Sequence, residues 1–257
     1  MIRPMLPDDV EEVKRVFAHS FPSHLQRLMI YGQHGLSNYL RDILYNPTLF
    51  PEFKLYVFKD FRGLGYAEFR LSGDQGFLSN VFVDAGLRGQ GVGSRLIAHF
   101  TTEFPQVASL CLDVFESNAG AVCLYQNLGF SKQGNRAWYV RPLAKPLEAD
   151  STISEMRGSR FTHSGLVSSI AMYERYGFTE YQTQSGIRFG RIGDGVLRCL
   201  RAEDAVDPEI LMGVSRHFPE ITEAFCISAI PLSPPWQQVD VSWRMSMTPQ
   251  PTVKGAL

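Results

Sequence analysis

Cysteine is scarce in this sequence, and its four copies, Cys111, Cys123, Cys199 and Cys226, lie far apart. No Cys-x-x-Cys pair and no histidine at zinc-ligand spacing accompanies them, which disfavours a metal centre or a disulfide scaffold. Free, buried thiols in a reducing cytosol are the expectation, and with them a cytoplasmic location. Long apolar runs are missing too: none approaches the ~18 residues of a membrane helix. The opening Met1-Ile2-Arg3-Pro4-Met5-Leu6-Pro7-Asp8-Asp9 is acidic and proline-broken, unlike a signal peptide. Nor is there an excess of charge, since 25 basic against 26 acidic side chains leave −1. Residues 1–145 carry 15 basic and 13 acidic groups and residues 146–257 carry 10 and 13, so neither half implies a polyanionic partner. Nucleic acid and membrane are therefore not expected partners. What is present is material for a core: 44% hydrophobic and 20% charged residues over a length of 257 rule out disorder and allow one large domain or two ordinary ones.

The first half alternates between helical and strand-like periods. Asp8 or Asp9 can cap a helix to about Ala18, with Val10, Val13, Val16 and Phe17 on one face. A second helical stretch is expected from His24 to Leu44, loosened by Gly32 and Gly35. Strand-like runs follow at 53–59, 63–71 and 77–83, then a loop over 84–93, a helix over 94–104 stopped by Pro105, a strand over 107–115, a helix from Ser117 or Asn118 to Gly129, and a strand over 131–141. Pro142 and Pro146 interrupt any period, so the boundary is placed near 146, giving domains 1–145 and 146–257. Beyond it a helix is expected over 167–176, a hairpin over 187–201 turning at Gly193-Asp194-Gly195, a helix from Asp207-Pro208 to Phe218, a strand over 239–245, and a frayed end.

The chemistry concentrates at Arg88-Gly89-Gln90-Gly91-Val92-Gly93-Ser94, between a strand and a helix. Glycines permit positive φ and close approach, so successive backbone N–H groups and the helix N-terminus converge into an anion cradle. The Lys-Ser/Thr of a P-loop is absent, and neither the spacing nor the position is that of a dinucleotide-binding fold.

Together with Asn118-Ala119-Gly120-Ala121-Val122-Cys123-Leu124-Tyr125-Gln126-Asn127-Leu128-Gly129-Phe130, this loop resembles the GNAT superfamily of acyl-CoA-dependent N-acyltransferases. The family's Arg/Gln-x-x-Gly-x-Gly/Ala loop matches Arg88, Gly91 and Gly93. Its second motif matches Asn118, Ala121, Leu124, Tyr125, Gly129 and Phe130. The resemblance covers residues 1–145. It implies an α+β fold with a central mixed, mostly antiparallel sheet flanked by helices, and acetyl-CoA (coenzyme A) as cofactor. Val81, Phe82 and Val83 would pair with the pantetheine arm, and the loop Arg88, Gly89, Gln90, Gly91, Val92, Gly93 and Ser94 would hold the pyrophosphate. Asn118 and Ala121 would lie near the cofactor, and Tyr125 would protonate the departing thiolate; a thiol of pKa ~8.5 makes that acid helpful rather than obligatory. Asp113, twelve residues before Tyr125, is similar to the general base proposed in the branch that acetylates ribosomal-protein N-termini. Glu68 and Glu116 are rivals, and a water relay is a further alternative.

Residues 169–178 align with 121–130 at an offset of 48, placing Tyr173 on Tyr125 and Gly177-Phe178 on Gly129-Phe130. Leu166 replaces Asn118 and no Gly-rich loop precedes it. The second half is therefore expected to be a smaller, degenerate GNAT-like α+β region without a second coenzyme A, walling the acceptor cleft or forming a homodimer interface. No metal is implied. The leading functional expectation is an acetyl-CoA-dependent N-acetyltransferase acting on the primary amine of a small molecule or an amino-acid-like metabolite. A protein N-terminal or lysine acetyltransferase, and a non-catalytic coenzyme A-binding sensor, are the alternatives.

Overall fold

A computed structural model describes residues 1–18, 20–143, 163–164, 166–183, 186–206, 211 and 218–249. In chain order the elements are β1 (Ile2–Pro4), α1 (Val10–Ala18), α2 (Ser23–Gln26), α3 (Leu36–Tyr45), β2 (Phe53–Asp60), β3 (Gly63–Ser72), β4 (Gln75–Val83), α4 (Val92–Glu103), β5 (Ser109–Phe115), α5 (Ala119–Asn127) and β6 (Ser131–Pro142). They continue as β7 (His163–Ser164), α6 (Leu166–Tyr176), β8 (Phe178–Thr183), β9 (Arg188–Ile192), β10 (Val196–Cys199), α7 (Ala202–Val206), β11 (Glu223–Ser228) and β12 (Gln237–Met247). The helix expected from Asp207 and the frayed end lie outside the described residues, as does the boundary near 146. Among the described residues no helix is long and apolar enough to cross a membrane.

Two compact units result, each from separate chain segments: residues 1–20, 40–135 and 242–257 form one, and 21–39 with 136–241 the other. In the first, the strand order is β1-β2-β3-β4-β5-β12. Every neighbouring pair is antiparallel except β4 and β5, which α4 connects by a crossover. Alternation along the strands sends Ala67, Phe69, Leu78, Leu110, Leu112 and Met245 to one face, where they bury against Leu96, Ile97 and Phe100 of α4. Phe69 and Phe100 stack with ring centroids 3.9 Å apart. On the other face Phe17 of α1 meets Tyr66 and Phe82 edge-on, at 5.6 and 4.4 Å.

In the second unit the order is β6-β11-β10-β9-β8-β7, antiparallel except for β10 and β11. Its core joins Tyr181, Phe189, Leu197, Ala224 and Trp236. The long helix expected over 24–44 is instead two separate helices, α2 and α3, because the glycines sit where chain meets chain. A Cβ on Gly32 would fall 2.3 Å from the Gln26 carbonyl oxygen, and one on Gly35 2.2 Å from that of Arg175. All four cysteines are free, but only Cys199 and Cys226 are buried; Cys123 is exposed and Cys111 half-buried. Burial raises both inner thiols, Cys226 to about 11, and so keeps them protonated.

Candidate active site

β4 and β5 pair over only four rungs, from Gln75 opposite Ser109 to Leu78 opposite Leu112. β4 then runs on to Val83 and β5 to Phe115 without pairing to each other. The cause lies on the other side of β4. Phe69 opposes Leu78 and Glu68 opposes Asn80, so Ser79 is an extra residue bulged out of the β3–β4 ladder. A bulge bends its strand and increases local twist, which here turns β4 away from β5. Val81, Phe82 and Val83 consequently pair with β3 on one side and leave β4 unpaired on the β5 side. The Ser79 hydroxyl is itself buried without a hydrogen-bond partner among the described residues.

Beyond Val83 the chain is braced into a fixed loop. Asp84 accepts from the Leu64 amide at 2.8 Å and pairs with Arg15 at 3.1 Å, and Leu87 is fully buried. Arg88 donates through Nε to the Val83 carbonyl at 3.1 Å, and Gln90 through Nε2 to that of Gly86 at 2.8 Å. Both side chains therefore hold the shape of the loop. Gly89 and Gly91 take φ of +74° and +70°, and among the described residues no side chain caps the N-terminus of α4 at Gly91. The first-turn amides of Val92, Gly93 and Ser94 consequently keep the positive end of the helix open to an anion. Gly65 allows α4 to sit this close to the sheet, since a Cβ there would reach within 2.6 Å of Val92. A Cβ on Gly93 would lie 3.6 Å from Leu124 and 3.8 and 3.9 Å from Val83 and Val81, so α4, α5 and the unpaired end of β4 converge.

α5 begins at Asn118, whose Oδ1 accepts from the Ala121 amide at 3.2 Å. That oxygen serves the helix cap, and only the amide NH2 is left to face a ligand. Tyr125 is 6% exposed, packed edge-on against Phe130 with ring centroids 5.6 Å apart, and its hydroxyl makes no hydrogen bond among the described residues. Burial pushes its pKa well above the usual phenol range, so it stays a neutral donor at any working pH. Asp113 has an occupation that its local sequence does not reveal. Arg244, directly opposite on β12, holds both its oxygens, Nε to Oδ1 at 2.5 Å and Nη2 to Oδ2 at 2.8 Å. Glu68 is fully buried and takes a hydrogen bond from Tyr66 at 3.1 Å. Neither Arg244 nor the Ser79 bulge carries a signal in the sequence, because both arise from register.

The second unit corrects the alignment at offset 48. Its meander β8–β9–β10, followed by a crossover to a parallel strand, β11, repeats β2–β3–β4, α4 and β5 of the first unit. By that order α6 corresponds to the helices before β2, and not to α5. The shared Tyr-x-x-x-Gly-Phe marks two helix C-termini, where Gly129 and Gly177 both take positive φ. Tyr173 is moreover engaged structurally: its hydroxyl donates to Asp194 at 2.9 Å and lies 3.1 Å from the Gly193 carbonyl, tying down the β9–β10 turn. The topological counterpart of the Gly-rich loop is the β10–α7 junction, which has no glycine and places Glu203 and Asp204 in the first turn of its helix. Those carboxylates oppose a pyrophosphate.

This architecture, with its splayed parallel pair and glycine-rich helix start, is that of the GNAT acyltransferases, and residues 51–132 match the family model described as an acetyltransferase (GNAT) domain. The chain thus contains a GNAT domain. Over 68 residues it is 40% identical to the [ribosomal protein bS18]-alanine N-acetyltransferase of Escherichia coli strain K12 and 37% identical to that of Salmonella typhimurium. These matches span 26% of the chain and 46% of each relative, less than half the relatives' length. Among solved structures, a tandem GNAT protein from the clavulanic acid biosynthesis pathway aligns over 98% of this chain and 99% of its own, with a TM-score of 0.63 and 13% identity. A putative acetyltransferase from Pyrococcus horikoshii aligns over 98% and 90%, with a TM-score of 0.59 and 14% identity. The fold of the whole chain is therefore that of a tandem GNAT protein.

Proposed function

We propose that the chain is an N-acetyltransferase that uses one acetyl-CoA per chain, bound in the first unit, to acylate the primary amine of a small molecule or an amino-acid-like metabolite. The observation that carries this reading is the coincidence of the Ser79 bulge, the run 79–83 that β5 leaves unpaired on one side, and the α4 start that follows β4. The residues present fit the cofactor: an open strand edge suits the amide-bearing pantetheine arm, and the α4 amides suit its pyrophosphate. Bound there, acetyl-CoA supplies the activated acyl group. The acceptor nitrogen forms the new N–C bond, the C–S bond breaks, the nitrogen loses a proton, and Tyr125 can give one to the leaving sulfur. Retention of a buried, neutral and unengaged tyrosine hydroxyl favours an enzyme over a coenzyme A sensor.

A second reading, acetylation of a protein N-terminus, is favoured by the ribosomal relatives named above. A thiol-release screen across amines, amino acids and peptides separates the two, and no release with any class, despite tight acetyl-CoA binding, would leave a sensor.

Two substitutions test the site. Ala at Gly91 forces a side chain to φ near +70°, and Val at Gly93 crowds Leu124. Each is expected to weaken acetyl-CoA binding about 10-fold or more by calorimetry, with the fold intact by circular dichroism; unchanged affinity would sink the cradle assignment. Asp113→Asn removes the charge that fixes Arg244. With both carboxylate oxygens already engaged, we expect a lower melting temperature and an acidic limb of the kcat/KM profile that stays in place, as a water relay requires. A displaced limb would instead assign the base to Asp113.

A further inference from the structure

Ser79 stands outside both registers of β4. On β3, Glu68 opposes Asn80 and Phe69 opposes Leu78, and on β5 the last rung is Leu78 opposite Leu112. Its place in the sheet sets the direction of its side chain. Ala67, Phe69 and Leu78 point into the core beneath α4, so by alternation Glu68 and Asn80 lie on the other face. Ser79, next after Leu78, falls on that face too, because one residue inserted into a two-residue repeat leaves two successive side chains on one side.

Among the described residues of the first unit, Ser79 carries the only hydroxyl that is buried and without a hydrogen-bond partner. The polar side chains around it are engaged with one another. Glu68 accepts from Tyr66 at 3.1 Å and pairs with Arg70 at 3.6 Å, and Asn80 Nδ2 lies 3.5 Å from the same carboxylate. A buried hydroxyl left out of such a network costs free energy until an acceptor reaches it. The residue as a whole is only half-buried, and rotation about χ1 between staggered positions turns the oxygen without moving the strand.

The direction of the cofactor decides which acceptor arrives. With the pyrophosphate at the α4 start, beyond Val83, the pantetheine arm runs back along β4, and the thioester is its end farthest from the phosphates. Val83 and Ser79 are four positions apart on β4, about 13 Å at ~3.3 Å per residue, a span that an extended pantetheine arm covers. The reactive end therefore comes to lie beside the bulge. Tyr125 belongs to the core on the α4 side, the opposite face of the sheet.

We infer that Ser79 is a catalytic residue of the first unit: its hydroxyl donates a hydrogen bond to the carbonyl oxygen of the thioester, from the face opposite Tyr125. The inference rests on the acyl-transfer reading above. The hydroxyl forms no covalent bond. It supports the negative charge that gathers on the oxygen as the amine adds, and that charge returns to the carbonyl as the C–S bond breaks. Since the acetyl carbonyl is absent from coenzyme A, the same contact lets the site tell the two apart.

Ser79→Ala tests this with acetyl-CoA, coenzyme A and the free protein. By calorimetry the variant should lose about 5-fold in affinity for acetyl-CoA and nothing for coenzyme A. Thiol release with an acceptor found in the amine and peptide screen should fall about 10²-fold. The free variant should melt at or above the wild-type temperature, because the hydroxyl has no bond to lose. Unchanged turnover overturns the assignment, and so does an equal loss of affinity for both ligands, which would mark a distorted strand. A lower melting temperature or failure to fold overturns it as well, by showing that the hydroxyl holds the structure. Wild type that binds neither acetyl-CoA nor coenzyme A would instead overturn the acyl-transfer reading, and this assignment with it.

Discussion

Tyr125→Phe is expected to turn over about 10²-fold more slowly than wild type while binding acetyl-CoA equally well. The substitution keeps the ring, which packs edge-on against Phe130 and belongs to the first unit's core, and deletes only the hydroxyl. That hydroxyl has no protein partner among the described residues, so its loss strands no buried donor or acceptor and stability should hardly change. Burial also raises its pKa, so no tyrosinate forms in the working range and the loss should be independent of pH below about 9. Steady-state kinetics with a saturating acceptor, beside calorimetry for the cofactor, separate the two effects. Wild-type turnover in the folded variant would reduce Tyr125 to packing.

Loss of the last strand should be more severe. Residues 242–247 pair with β5 over six positions, from Ser242 opposite Phe115 to Met247 opposite Leu110. Met245 is fully buried in the same cluster as Leu112 and Phe100, and Arg244 binds Asp113. A chain truncated after residue 145 therefore loses a strand of its first unit although the sequence reads that unit as ending there. It should be insoluble or inactive, with β5 exposed as an unpaired edge beside uncovered apolar surface. A finer probe is Met245→Ala, for which a loss of about 2–5 kcal/mol is expected from chemical denaturation. A soluble and fully active 1–145 fragment would make residues 146–257 an independent module and refute this account of β12.

Several features were legible in local chemistry. The run of Gly89, Gly91 and Gly93 between an apolar strand and an apolar-periodic helix forms the open helix start, because positive φ is a property of the residue itself. The strands 53–59, 63–71 and 77–83 appear within a residue or two of β2, β3 and β4. Asn118 was legible as a helix start and does cap α5. The short strands β1, β8 and β11 were not, since their residues become strands only by docking beside others. Offset 48 misled because a tyrosine one turn before Gly-Phe satisfies any helix C-terminus. The free thiols were expected inside, yet Cys123 is exposed, since α5 turns that position outward.

By itself the sequence determined what is short-range: the Asn118 cap of α5, the glycine loop, the strand runs of β2 to β5, and through these the GNAT motif set, whereas Asp9, expected to cap α1, instead holds Arg3 and the Leu6 amide. The tertiary structure decided everything that depends on register. It placed Ser79 outside the β3–β4 ladder and so opened β4 from β5, and it gave Asp113 to Arg244 across 131 residues of chain. It returned the final strand to the sheet of the first unit. A one-residue shift in pairing moves a side chain to the opposite face of a sheet, and no local pattern records which partner strand sets that shift.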